Sequence, residues 1–386
     1  MASSTIDRVI QDSKAYNCIG CGKCTAVCPI NARDPGFSPR LVVEQVLQGN
    51  LDQLISSGQI WTCLTCGMCS QRCHAGVDYP LFVRLLRADA SKGGNKCDSS
   101  HGGALHTVSR IMANPHLQQD RLHWLDSDLR TNADSDFIFF VGCTPYLDPV
   151  FRDIGARPLT STSSALRLLN RLGIEPAILS GERCCGHDQL WTGDVEGFLK
   201  LARHNVEELT STAAKTVLVS CPECYHTLKF QYPRYLGGSR FEVLHILQLL
   251  SQRMPEVRPS IGEMRKSVTF HDPCRLGRLS GLFAEPRGLL EMVPGLELRE
   301  MPRNKHRSVC CGTHAWINCG AVSKQIQVDR LHEASTTGAE LLVTACPKCE
   351  IHLNCASRGR YQGNGQQKGV DLEIVDVFSL LAEVIA

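Results

Sequence analysis

The sequence predicts an α+β/α/β protein in two parts, a helical cysteine-rich module followed by an α/β region that is built twice. Three observations predict it. Two runs of the form C-x2-C-x2-C-x3-C stand near the N-terminus, separated only by short amphipathic helices. Beyond residue 135, short apolar strands alternate with helices of about a dozen residues, the pattern of βαβ units and a mainly parallel sheet. That alternating region then repeats, strand for strand and cysteine for cysteine, which marks an internal duplication.

The first run is Cys18-Ile-Gly-Cys21-Gly-Lys-Cys24-Thr-Ala-Val-Cys28-Pro29 and the second Cys63-Leu-Thr-Cys66-Gly-Met-Cys69-Ser-Gln-Arg-Cys73-His74. This is the ferredoxin spacing, in which three thiolates of a run hold one [4Fe–4S] cube and the fourth holds the other. The expected wiring is crossed, with Cys18, Cys21, Cys24 and Cys73 on one cubane cluster and Cys63, Cys66, Cys69 and Cys28 on the second. A zinc knuckle or a redox dithiol is the plainer alternative for an isolated C-x2-C, but zinc leaves the full spacing unexplained. Gly20, Gly22 and Gly67 suit a backbone wrapped closely around sulfur.

Between the runs, Pro39 to Gly49 and Leu51 to Ser57 read as short helices, and Tyr79 to Lys92 as an amphipathic helix stopped by Gly93-Gly94. Residues 1–92 are therefore expected to form a helical ferredoxin-type module. Residues 93–135 lose periodicity and read as a linker, with Cys97 a buried or incidental thiol.

The duplicated region divides at 136–260 and 261–386. Asp136 to Cys143 and Ser267 to Cys274 are each a strand that delivers a cysteine at its end. Helices follow at Ser161 to Leu172 and at Leu289 to Met292 or somewhat earlier. A second strand is expected at Ala177 and at Leu296, then the doublets Cys184-Cys185-Gly186-His187 and Cys310-Cys311-Gly312-Thr-His314. Helices at Val195 to Thr210 and Ser323 to Thr336 lead to third strands ending in Cys221-Pro-Glu-Cys224 and Cys346-Pro-Lys-Cys349. Both copies close with a brief strand and a helix, at Phe241 to Leu250 and Leu372 to Leu381. Ligands of parallel sheets gather beyond the carboxyl ends of the strands, and the cysteines fall there in both copies. Pro222 and Pro347 fit the first turn of a helix, whose free amides favour thiolate and cluster charge.

Each copy thus carries C…CC-G…C-x2-C: Cys143, Cys184, Cys185, Cys221 and Cys224, then Cys274, Cys310, Cys311, Cys346 and Cys349. Five exceeds the need of a cubane or a tetrahedral zinc, so a bridging thiolate or an irregular cluster is expected, with zinc in one copy as the alternative. Gly186 and Gly312 are expected to let the backbone approach the metal, and His187 and His314 could donate hydrogen bonds or protons near it, or serve structure alone. Together the two regions use eighteen of the 21 cysteines, leaving Cys97, Cys319 and Cys355.

These blocks resemble the cysteine-rich CCG domain found in the B subunit of heterodisulfide reductase, and the N-terminal module resembles the C subunit, so the chain looks like a C–B fusion of the D type. The resemblance implies a pseudo-twofold duplicated Rossmann-like CCG fold, a noncubane [4Fe–4S] cluster on each complete block, and cleavage of a disulfide between the two clusters by successive one-electron transfers. All ten block cysteines match the pattern; His74 departs from it, standing where the first run has Pro29. Electrons are expected from a flavin-bearing subunit like the A subunit of that enzyme, with hydrogenase or formate dehydrogenase modules as further partners in anaerobic metabolism. Relatives of this architecture also serve glycerol-3-phosphate dehydrogenase, lactate utilisation and electron-bifurcating complexes. The alternatives are an electron relay to ferredoxin, a quinone or another protein, and a zinc-stabilised binding protein. A solvent-open cleft with Arg183, Lys305 or Arg307 at its rim would favour an anionic disulfide.

Bulk properties bound the rest. Forty-one basic against 39 acidic residues give a net charge of +2, which points to no nucleic acid partner. No apolar run approaches the roughly 20 residues of a membrane span, so membrane association is expected only through partners. The N-terminus has no apolar core of a signal peptide, and so many unpaired thiols fit a reducing, cytoplasmic compartment. No G-x-G-x-x-G follows a strand, so no flavin or nicotinamide is expected on this chain.

Overall fold

Helices of the N-terminal region begin where the sequence supplies a cap. Ser38 accepts the amide of Leu41 at the start of Pro39–Leu47, and Asp78 accepts that of Leu81 at the start of Tyr79–Lys92; both have proline in the first turn, where a missing N–H costs nothing. The computed structural model describes residues 3–257, 261–358, 370 and 372–385. The chain divides into two units, one formed by the chain up to Ile111 with Gly186–Phe198 and Gly312–Gln327, the other by Met112–Cys185, Leu199–Cys311 and the chain from Val328 onward.

The first unit is helical. Tyr79–Lys92 is its axis, packed against Ser3–Asp12 and against His187–Thr192, with Phe82, Val83 and Leu86 fully buried. Arg87 of this helix is fully buried too. Its guanidinium donates to the carbonyls of Ile60, Trp61, Cys63 and Trp191 at 2.6–3.0 Å. One side chain therefore satisfies carbonyls of the segment leading into the second cysteine run and of a segment more than a hundred residues away. The stretch expected to be a linker contains a helix, Ala104–Met112. His106 Nε2 donates to Ala315 O, and Ser100 donates to Trp316 O, so this stretch is held by specific bonds.

The second unit holds the duplication as two parallel sheets. β1 (Phe137–Phe140), β2 (Thr216–Val219) and β3 (Glu242–His245) form the first, in order β1-β2-β3. β4 (Lys266–His271), β5 (Leu296–Leu298), β6 (Leu341–Thr344) and β7 (Glu373–Asp376) form the other, in order β5-β4-β6-β7. The strand expected at Ala177 is reduced to a single bridge with Ile138. Ala177 exchanges bonds with Phe137 and Phe139, but Pro176 before it has no N–H to extend the ladder. The helix expected at Leu289 to Met292 or somewhat earlier spans Ala284–Glu291.

The two copies interlock. The crossover helix Pro158–Arg171 of the first packs on the closing helix Val377–Val384 of the second, and Ala284–Glu291 of the second packs on Ile246–Val257 of the first. The pseudo-twofold of the sequence is thus a packing relation. Leu166, Leu169, Phe378 and Leu381 are fully buried in it, each side chain contributing on the order of 2 kcal/mol of apolar burial. Among the described residues no helix is long and apolar enough to cross a membrane.

Candidate iron–sulfur sites

In the N-terminal module the left-handed turns at Gly22 and Gly67 open two matching short helices, Lys23–Ala26 and Met68–Gln71, which pack together. Cys28 comes together with Cys63, Cys66 and Cys69, and with Leu64, Met68 and Tyr79 they line a small apolar recess. Burial pushes the Cys28 thiol up to about 12, with the Cys63 and Cys66 thiolates adding to it. Burial likewise pushes Cys69 well up, again with its neighbouring thiols adding. Four crowded thiols in an apolar recess resist ionisation alone, whereas a shared metal centre deprotonates them outright. The donor set fits an iron–sulfur cube on that ground. Thr65 holds a left-handed φ of 47°, unusual for a β-branched residue, and its amide donates to Cys63 Sγ at 3.2 Å.

The other set is more open: Cys21 is exposed, and Cys18, Cys24 and Cys73 are half-buried. Cys24 lies within charge reach of Cys18. Asn17 donates to Ala75 O at 3.4 Å, tying the chain beside Cys18 to the chain just past Cys73.

In the first block of the duplication the thiols converge on Cys185. Hydrogen bonds from Cys184 and Cys224 hold it down to about 7, against burial and the charges of Cys143 and Cys221. The backbone closes on the sulfurs at Gly142, φ 69°, where a Cβ would stand 3.0 Å from Cys224 Sγ. This is the close approach that the sequence assigned to Gly186 and Gly312, and those two glycines serve a different contact. A Cβ on Gly186 would meet the Phe198 ring at 2.9 Å and one on Gly312 would meet Ser323 O at 2.7 Å, so they admit the following helix. Asn205 fixes the doublet, accepting the Arg183 amide at 2.8 Å and donating to Cys184 O at 2.9 Å. Arg183 itself is buried and donates to the carbonyls of Met112 and Asn114, so it is no rim cation; Lys305 and Arg307 are exposed.

The second block repeats the arrangement around Cys311, which is held well below the ordinary thiol range by Cys310 and Cys349, with the neighbouring imidazoles of His271 and His352 acting in the same direction. Cys274 is bonded to Cys310 and lowered by it, with Arg275 and Arg278 adding positive charge. Of the five cysteines in each block, four are buried, while Cys143 and Cys274 are half-buried. The two C-P-x-C turns, each starting a helix behind its proline, are joined through their variable residues. Lys348 pairs with Glu223 at 2.6 Å, both almost fully buried. Cys346 is near enough to feel the charges of Cys221 and Glu223. Five thiols around one centre fit an iron–sulfur cluster in each block, and in the first the backbone at Gly142 is shaped to the sulfur.

Sequence reading missed His271, His352, the Glu223–Lys348 pair, and Arg121, which pairs with Glu182 at 2.6 Å with both side chains fully buried. His187 and His314 are buried and packed ring to ring, centroids 5.5 Å apart, each beside Trp191. Cys97 is half-buried, and burial raises its thiol.

Comparison with known proteins agrees with this layout. A cysteine-rich domain (CCG) family model matches residues 137–229 and 268–354, and a 4Fe-4S dicluster domain model matches residues 14–77. The chain is 34% identical over 282 residues to the D subunit of the dihydromethanophenazine:CoB–CoM heterodisulfide reductase of Methanosarcina barkeri, an alignment covering 70% of this chain and 65% of that protein. It is 26% identical over 370 residues to the B subunit of the fumarate reductase (CoM/CoB) of Methanothermobacter marburgensis, covering 95% of this chain and 60% of the relative. The chain therefore spans somewhat less than two thirds of the length of these relatives. In fold it resembles the crystal structure of a hypothetical protein from Helicobacter pylori, with a TM-score of 0.55 at 10% identity, covering 100% of this chain and 73% of that one. A helical 4Fe-4S module followed by two α/β cysteine-rich domains makes the chain an iron–sulfur protein of the CCG and 4Fe-4S dicluster type, related to the D subunits of heterodisulfide reductase.

Proposed function

We propose that the chain is an iron–sulfur oxidoreductase subunit that takes electrons from a flavoprotein partner through two cubane clusters and delivers them to two noncubane clusters, where a small anionic disulfide is reduced. The observation that carries this reading is the pairing of two five-thiol sites within one unit, their C-P-x-C turns joined by the Glu223–Lys348 pair. Cys18, Cys21, Cys24 and Cys73 would hold the first cube, and Cys63, Cys66, Cys69 and Cys28 the second. Cys143, Cys184, Cys185, Cys221 and Cys224 would hold one noncubane cluster, and Cys274, Cys310, Cys311, Cys346 and Cys349 the other. When bound, the clusters supply electrons one at a time.

The chain's own residues provide the rest. In each block Cys143 or Cys274 is the one residue of the five that is half-buried, the other four being buried, which fits a substrate arriving on that side. Arg275 and Arg278 place positive charge at Cys274, and Lys305 and Arg307 stand exposed on the segment leading to Cys310; these cations suit an anionic partner. Reduction breaks one S–S bond, consumes two electrons from the donor and two protons from solvent, and yields two thiols. The heterodisulfide reductase relative supports the disulfide as acceptor.

The test uses the full chain, prepared anaerobically and reduced with a viologen. An anionic mixed disulfide should then yield two thiols for every two viologen radicals oxidised. Oxidation of the viologen by a quinone or ferredoxin, with no thiol released from any disulfide, would make the chain a relay.

A further inference from the structure

The two blocks differ at the thiol on which their hydrogen bonds converge. His271 closes β4 at the strand position that Phe140 holds in β1, three residues ahead of the block's first cysteine in both copies. His352 stands three residues beyond Cys349, where the first copy has Thr227 beyond Cys224. Cys185 therefore has an aromatic hydrocarbon and a small hydroxyl at the positions from which Cys311 has two imidazoles.

The orientation of His271 is fixed from behind. Arg330, fully buried, donates its Nε–H to His271 Nδ1 at 3.1 Å, and also bonds Arg303 O and Glu333. A guanidinium has only donors, so Nδ1 is the acceptor and the single proton of the ring sits on Nε2. His271, Cys311 and Cys349 bring their ligand atoms within 4.8 Å of one another. With Nδ1 engaged by Arg330, the buried Nε2–H has no other hydrogen-bond partner among the described residues, so the ring has an N–H, and not a lone pair, left to offer a thiolate beside it. His352 Nδ1 lies 3.5 Å from Cys311 Sγ.

We propose that His271 and His352 hydrogen-bond the Cys311 thiolate and hold the second block's cluster at a higher reduction potential than the first block's, so that the first electron to reach the pair resides at the second block. The inference rests on the reading that each block holds an iron–sulfur cluster. Adding an electron makes a cluster and its thiolates more negative, and N–H donors to sulfur favour that state, a recognised determinant of cluster potential. In the first block the two corresponding positions carry Phe140 and Thr227. His271 and His352 are positioning residues acting through Cys311.

The test is a redox titration of the full chain with dithionite as the electron source, followed by electron paramagnetic resonance, on wild type, His271→Phe, His352→Leu and His271→Asn. Cys311→Ser identifies the second-block signal by its loss. His271→Phe introduces the residue the same strand position carries in the first copy. It should lower the second-block midpoint by about a tenfold change in the reduced-to-oxidised ratio, about 59 mV for one electron, leaving the first-block midpoint in place. His352→Leu should act in the same direction, and His271→Asn, which retains an N–H, should recover part of the shift. Unchanged midpoints in both His271→Phe and His352→Leu, at full iron content, would overturn the tuning role while leaving the cluster assignment intact. A wild-type chain with zinc in the second block and no second signal would overturn the cluster assignment, and the tuning with it.

Discussion

Replacing Arg121 by methionine should weaken the first block selectively. The guanidinium donates to the Glu182 carboxylate and to Gly142 O, each at 2.6 Å, and to the main-chain carbonyl of Glu182. The same carboxylate oxygen accepts the Gly142 amide at 2.6 Å. Gly142 immediately precedes Cys143, and Glu182 lies just ahead of the Cys184-Cys185 doublet, so one ion pair sets the approach of two ligand-bearing segments. Breaking a buried pair from one side costs about 3–5 kcal/mol. The low end applies here, because burial already pushes the Glu182 carboxyl up to about 7, and without Arg121 it takes up a proton near neutral pH instead of remaining a lone buried charge. A loss of about 3 kcal/mol corresponds to about 6–12 °C for a unit of this size. Anaerobic calorimetry with iron analysis measures it. Arg121→Met should melt lower by that amount and lose first-block iron, with the N-terminal module and the second block retaining theirs. An unchanged melting temperature with a fully loaded first block would refute the reasoning.

Other perturbations separate the parts of the molecule. Cys185→Ser and Cys311→Ser should each abolish the resonance signal of their own block and spare both cubanes, because assembly needs its own thiolates in place; unchanged block signals in both variants would favour a four-ligand site. Lys348→Met leaves Glu223 buried without its cation and should destabilise by about 3–5 kcal/mol, while Glu223→Gln combined with Lys348→Met should recover most of that; simple additivity in the double-mutant cycle would show that the pair is not coupled. Asp376, which accepts the Phe378 amide at 2.8 Å, has its carboxyl pushed up to about 6 by burial. The folded chain thus binds this proton more tightly than the unfolded one, so the stabilisation is full below the ordinary carboxylate value and is lost as pH rises through about 6. It amounts to on the order of 3 kcal/mol, about half of it between pH 5 and 7. Against Asp376→Asn as reference, wild type should lose stability over that range, and a gain would contradict the sign.

The cysteine runs and the duplicated strands were legible in the sequence because both are local patterns: a ligand spacing in one case, a recurring βαβ period in the other. Helix Val195–Thr210 has the bounds its periodicity predicts, and both C-P-x-C prolines start helices as expected. Contacts between distant segments were not legible. Arg121 stands in a stretch without periodicity and meets Glu182 sixty-one positions away; nothing near Arg121 announces a buried cation. Arg183 was expected at the rim of a cleft, yet it is consumed by carbonyls of Met112 and Asn114. Gly186 and Gly312 were assigned to the metal for their place beside the doublets, whereas the atoms a Cβ would strike belong to Phe198 and Ser323. His271 and His352 did leave a trace, since setting the two copies side by side exposes Phe140 and Thr227 as their counterparts. The comparison of copies, made for the cysteines, carries the asymmetry only when extended to the residues around them.

The most direct measurement is the iron, acid-labile sulfide and zinc content of anaerobically prepared protein, read together with its resonance spectrum on reduction. Four [4Fe–4S] centres on eighteen cysteines require about sixteen iron and sixteen sulfide per chain, with separate signals from the cubanes and from the two blocks. Several tightly bound zinc ions with iron for only two cubes, or no iron at all, would contradict it.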